Sequence, residues 1–82
     1  MAKLDVKALG LTLGIIWAGA IFIMGTTAML FNYGAGFIAA IGRIYIGTDA
    51  TIPGILIGVV WGFVDAGIGG VLIAVVYNKL SK

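Results

Sequence analysis

The chain contains no cysteine, no histidine and no glutamate, and its one proline is Pro53. Without cysteine there is neither a disulfide framework nor a thiolate metal site, and the redox compartment leaves no mark. Without histidine and glutamate, the commonest general bases, most metal-ligand sets and every Ser/His triad are missing. No catalytic residues, no metal and no cofactor are therefore expected, and the chain does not read as an enzyme. Charge is scarce as well. Charged residues are 10% of the 82, and the net +2 comes from a few lysines near the ends. That is too sparse for nucleic-acid binding.

What is present is apolar. Hydrophobic residues make up 62% of the chain and the mean hydropathy is +1.22. A soluble domain this short buries too little surface to hide so much apolar area, and it would need more charge to cover its outside. Residues 1–82 are expected to form a single membrane domain whose first partner is the lipid bilayer.

The charges map the spans. Lys3, Asp5 and Lys7 open the chain, Arg43 and Asp49 lie in the middle, Asp65 stands alone, and Lys79 and Lys82 close it. The uncharged run from Ala8 to Gly42 exceeds the roughly 20 residues that cross about 30 Å of hydrocarbon. A second run, from Ile52 to Asn78, is interrupted only by Asp65. The pattern predicts an all-α membrane protein, a two-helix transmembrane hairpin. The first helix covers about Val6 to Phe31 and stops at the turn residues Asn32-Tyr33-Gly34. The second covers about Ile52 to Asn78, with Thr51 as cap and Pro53 in a first turn whose N–H groups lack partners. Between them, Ala35 to Ile46 is apolar but too short to cross, so it reads as an interfacial or re-entrant helix with Arg43 snorkelling toward water. Tyr33, Tyr45 and Tyr77 are expected at the interfaces, where amphipathic aromatics gather. Gly47 to Ala50 reads as a turn.

Both tails carry two lysines, whereas Asp49 offsets the one arginine of the connection. Lysine and arginine are retained on the cytoplasmic side, so a multi-pass protein of the cytoplasmic (inner) membrane with both termini cytoplasmic is expected. Lys3, Lys7 and Ala18-Gly19-Ala20 resemble a signal peptide with its cleavage site. Hydrophobicity continues to Phe31, however, and the expectation is an uncleaved anchor.

A row of small residues, Gly54, Gly58, Gly62, Ala66 and Gly70, recurs at spacing four. It strips side chains from one helical stripe, so a second helix can approach backbone to backbone. Gly10, Gly14 and Ala18 form a shorter row on the first helix. Helix packing is expected at all eight positions; the partner could be the hairpin's own first helix, another copy or a different protein. The two helices also resemble each other, Gly10 to Ala18 aligning with Gly54 to Gly62, as an inverted repeat would. That alignment makes Trp17 equivalent to Trp61. Both lie well inside the spans, and each indole N–H needs an acceptor in the bundle or in a wet cavity.

Asp65 is the residue expected to carry function, with Trp17 and Trp61 as midplane polar or gating neighbours. A carboxylate at the centre of a span costs at least about 2.5 kcal/mol on insertion scales, so such residues face a bundle interior, a cavity or a pore. A hydrogen bond that locks the hairpin is the plainest role for it. Arg43 is not expected to reach it within one chain, because Ile52 to Asp65 spans about 20 Å of helix. Polar residues other than Asp65, Thr12, Thr26 and Thr27 are too few to line a wide aqueous channel.

The residues as a set resemble a known family. The segments Lys7-Ala-Leu-Gly-Leu-Thr-Leu-Gly-Ile-Ile-Trp17, Thr51-Ile-Pro-Gly54, Trp61-Gly-Phe-Val-Asp65 with Gly69-Gly70, and Tyr77-Asn-Lys-Leu80 resemble small two-span prokaryotic membrane proteins commonly labelled bacteriophage holins. That resemblance implies assembly in the cytoplasmic membrane into lesions that release endolysins. In outline the chain is also similar to the proteolipid c subunit of rotary ATP synthases. It departs from that family in carrying its longer glycine row on the second helix and a long apolar connection. Three functions are thus weighed: a self-associating, holin-like oligomer or pore built on the glycine row, an accessory subunit of a larger membrane complex, and a proton-carrying ring.

Overall fold

Asp5 starts the first helix. Its carboxylate accepts the Ala8 N–H at 3.0 Å, and α1 then runs from Val6–Phe31 as the uncharged stretch requires. The computed structural model describes residues 3–81, so Lys82, one of the tail lysines behind the expected orientation, lies outside them. α1 ends at Asn32, whose φ of 56° turns the backbone left-handed. Asparagine tolerates that region better than other non-glycine residues. The Asn32 and Tyr33 N–H groups close onto the Ala28 and Thr27 carbonyls. Gly34, at φ 79°, completes the reversal.

A short helix, α2, follows at Ala35–Gly42. It is four residues shorter than the apolar run Ala35 to Ile46 predicts, because from Arg43 onward the backbone N–H groups bond in tight turns. At Gly42 a Cβ would sit 2.5 Å from the Thr48 carbonyl oxygen, because the chain doubles back on itself there. Tight turns then carry it on: Ile44 and Tyr45 both donate to the Ile41 carbonyl, and Thr48 donates to the Tyr45 carbonyl.

The second long helix, α3, covers Ile52–Leu80. Thr51 caps it by accepting the Gly54 N–H at 3.1 Å. It runs two residues past the expected end at Asn78. Asn78 does not interrupt the helix, because its side-chain amide is engaged elsewhere: Oδ1 accepts the Leu4 N–H at 2.8 Å and Nδ2 donates to the Leu4 carbonyl at 2.9 Å. Lys3 Nζ adds a bond to the Asn78 carbonyl at 2.6 Å. The two ends of the chain are therefore clasped together.

α1 and α3 pack antiparallel as a hairpin, and α2 lies against α1. The inner faces are built almost wholly of small residues: Gly10, Gly14, Ala18, Gly25 and Ala28 on α1, and Gly54, Gly58, Gly62, Gly70 and Ala74 on α3. Among the described residues, Ile21, 0% exposed, and Ile55, 4% exposed, are the large side chains buried between them. The outward faces are apolar and open, with Ile15, Ile23, Val60, Ile68 and Leu72 all more than half exposed. Both long helices are long and apolar enough to cross a membrane, and the molecule's 48 Å long axis exceeds the hydrocarbon thickness of about 30 Å.

Candidate functional site

The partner of the glycine row is within the chain. A Cβ at Gly70 would lie 2.8 Å from the Leu9 carbonyl oxygen and 2.9 Å from the Gly10 Cα, and one at Gly14 would lie 3.0 Å from the Phe63 carbonyl. These are backbone-to-backbone approaches that only glycine permits. Higher on α3 the row meets the connection as well. A Cβ at Gly58 would strike Thr48 Cγ2 at 2.7 Å and Ile21 Cγ2 at 3.1 Å, while Asp49 lies against Gly54. A step of four residues overshoots one turn by about 40°, so the row rotates along α3 from facing the connection to facing α1. Ala66, half-buried, sits between the two sections.

Four aromatic and polar side chains meet where Tyr45 of the connection lies between α1 and α3. Trp17 of α1 donates its indole N–H to the Tyr45 hydroxyl at 3.0 Å. Tyr45 in turn donates to Asp65 Oδ2 of α3 at 2.5 Å. Trp61 and Asp65 are four residues apart and share one face of α3, so the ring of Tyr45 reaches both. It stacks on Trp61 with centroids 5.6 Å apart and planes 2° from parallel. Trp61 completes the cluster by donating its N–H to the Ile46 carbonyl at 3.1 Å. Phe37 of α2 abuts Trp17 edge-on at 6.3 Å.

Both indoles thus find acceptors in the protein, and on neighbouring residues of the same segment. The alignment of Trp17 with Trp61 has a structural counterpart here, although the two differ in cover: Trp17 is half-buried and Trp61 is exposed. The similarity ends further along. Gly25 packs against Ile55, whereas its counterpart Gly69 faces open space and Gly70 takes the inner position.

The tyrosines part company. Tyr33 and Tyr77 are exposed near opposite ends of the hairpin, whereas Tyr45, expected at an interface, is only 5% exposed. Two partners, the half-buried Trp17 indole N–H and the Asp65 carboxylate, hold its hydroxyl against the helices, because a polar group that loses its partner on partial burial costs about 1–3 kcal/mol. Arg43, two residues earlier, remains exposed. The helical distance from Ile52 to Asp65 does not separate the connection from Asp65, since the connection itself descends beside α3. It is Tyr45 that makes the contact. Asp65, although hydrogen-bonded, stays exposed on the outer surface of the hairpin.

The threonine hydroxyls turn inward on their own helix. Thr12 donates to the Ala8 carbonyl, Thr26 to Phe22 and Thr27 to Met24. They need no water and build no polar face. Thr48 differs: it is 7% exposed and its hydroxyl has no partner. Sequence reasoning missed three residues, Tyr45 as the bridge, Asn78 as the terminal clasp and Thr48 as filler over Gly58. Only for Tyr45 was there a signal, since two indoles inside apolar runs required an acceptor and the apolar run Ala35 to Ile46 carries one hydroxyl. Comparison of the chain with protein-family models, curated proteins and solved structures gives no match.

Proposed function

We infer that the chain is a small integral membrane protein that works as a homo-oligomer, holin-like in its architecture, with both termini on the cytoplasmic side. One observation carries this reading: Asp65 is exposed on the outside of an otherwise apolar hairpin. With α3 across a bilayer, Asp65 is thirteen residues from Ile52 and fifteen from Leu80, about 20 Å from either end. A carboxylate facing lipid at that depth is strongly disfavoured, and residues of this kind are covered by protein or water. α1 and the connection already occupy the glycine row, so association uses other surfaces, and the face of α3 bearing Asp65 is the one that most needs a neighbour.

The mode of assembly follows from the same surface. A hairpin whose threonines are satisfied internally offers one polar point per copy, which suits a tightly packed oligomer better than a wide aqueous pore. Native mass spectrometry of the detergent-solubilised protein tests the reading. Masses at a fixed multiple of the chain are expected. A monomer, or a complex held together by larger proteins, would overturn it in favour of an isolated hairpin or an accessory subunit. Reporter fusions at the two ends test the orientation: activity only in the cytoplasm is expected for both.

A further inference from the structure

Two exposed charges flank the Tyr45 bridge. Tyr45 bonds Asp65 directly, and Arg43 is two residues from Tyr45 in the tight turns that follow α2. Arg43 and Asp65 are both exposed. The side-chain hydrogen bonds that tie this part of the connection to α1 and α3 use Tyr45 and the Ile46 carbonyl, not the guanidinium. On the turns of α3 that precede Asp65 lies an open apolar groove lined by Leu56, Ile57, Val60, Trp61 and Val64. An exposed cation two residues from the Tyr45 bridge and the exposed carboxylate which that bridge touches, set in an apolar surface, are complementary to each other on separate copies of the chain.

We propose that Arg43 of one copy pairs with Asp65 of the next, and that this ion pair sets the register of the oligomer. The inference rests on the homo-oligomeric reading above. Tyr45 takes one hydrogen-bonding position on Oδ2, which leaves Oδ1 open to a guanidinium, whose planar fork suits a carboxylate. Asp49 is a poorer acceptor. It already receives the Thr51 hydroxyl, it lies at the start of α3 where the helix dipole favours its charge, and it sits beside Gly54, about 16 Å along the helix from Asp65. If the two charges face different sides of the hairpin, the contact is head-to-tail and gives a ring where its rotation closes and a filament where it does not; if they share a side, it is a two-fold dimer.

The test uses complementary charge reversals. Arg43→Asp and Asp65→Arg are each expected to lose the oligomer when expressed alone, because each copy then carries like charges at the contact. Expressed together they are expected to regain it, since every junction again joins opposite charges. Recovery in the double variant of one chain, without recovery in the mixture, would mean an intrachain pair and overturn the proposal; so would assembly of either single variant like the unaltered chain. Because the sequence contains no cysteine, Arg43→Cys and Asp65→Cys copies of different tag length supply a second readout that does not reverse a charge. Oxidation of the mixture should give the heterodimer as the main cross-linked product. Oligomers in native mass spectrometry without that cross-link would sink the pairing while leaving the homo-oligomer standing, and a monomer would sink both.

Discussion

The two halves of the hairpin are held together by different chemistry. In the half near the termini, α1 and α3 touch backbone to backbone at Gly10 and Gly70, and the Asn78 amide clasps Leu4 beyond them. In the half near the connection, the space beside α3 is filled by a third segment. Thr48 covers Gly58, Asp49 lies on Gly54, and Tyr45 links Trp17 to Asp65. The first half depends on the absence of side chains, and dispersion between close backbones supplies its stability. The second depends on specific polar partners, each of which leaves an unsatisfied group if removed. One glycine row serves both because it winds around the helix. A row of small residues on a long apolar helix thus does not by itself identify an intermolecular interface.

This contrast can be broken from either side. The largest effect is expected at Gly70→Val, where new atoms meet the Leu9 carbonyl and Gly10 Cα, neither of which can swing aside. Overpacking of that kind costs about 1–3 kcal/mol, and the upper end is expected here. A spin-label distance between α1 and α3 should lengthen. Gly69→Ala, which meets nothing within 4 Å, is the control and should hold the distance unchanged.

Tyr45→Phe comes next. It removes the hydroxyl shared by Trp17 and Asp65 while keeping the stack on Trp61, and about 1–3 kcal/mol should be lost for the groups left unpaired. Denaturant titration in mixed micelles would measure it. Combination with Trp17→Phe should cost less than the sum of the two, because both changes break one hydrogen bond. Full additivity would mean the Trp17–Tyr45 bond contributes nothing.

Asn78→Ala should cost less, about 1 kcal/mol, since the two bonds to Leu4 lie at an end where water can replace them. Increased amide exchange at Leu4 and the first turn of α1, with the rest unchanged, is the expected signature. The smallest change is at Thr48→Val. The hydroxyl is buried without a partner, so replacing it by a methyl of similar shape should be neutral or stabilising by up to about 1 kcal/mol. A clear loss of stability there would mean that the Thr48 hydroxyl is hydrogen-bonded after all.

Much of the fold was legible in the residue pattern. Thr51 as a cap, Asn32-Tyr33-Gly34 as the stop and the long uncharged runs place both long helices within two residues of where they lie. The ends of α2 and α3 were less legible: α2 stops where tight backbone turns bring Thr48 over Gly42, and α3 runs on past Asn78, whose amide is taken by Leu4, distant in sequence. The candidate site was half legible. Trp17, Trp61 and Asp65 stood out as polar atoms in apolar runs, but Tyr45 resembled any interfacial tyrosine. Nothing local says whether a short apolar connection rests on the surface or descends between helices.

The sequence alone therefore determined the hairpin, because hydrophobic run length, capping and turn chemistry act over a few residues and need no partner. It also determined that the inner faces would be bare, since glycine spacing is a local property. The tertiary structure decided what fills those faces and what satisfies the deep polar groups. Packing α1 on α3 uses up the glycine row, and folding the connection inward brings Tyr45 to Asp65. Both depend on contacts between segments whose registers are set only when the helices meet. That is why the exposed aspartate, and not the glycine stripe, is where the next partner is expected.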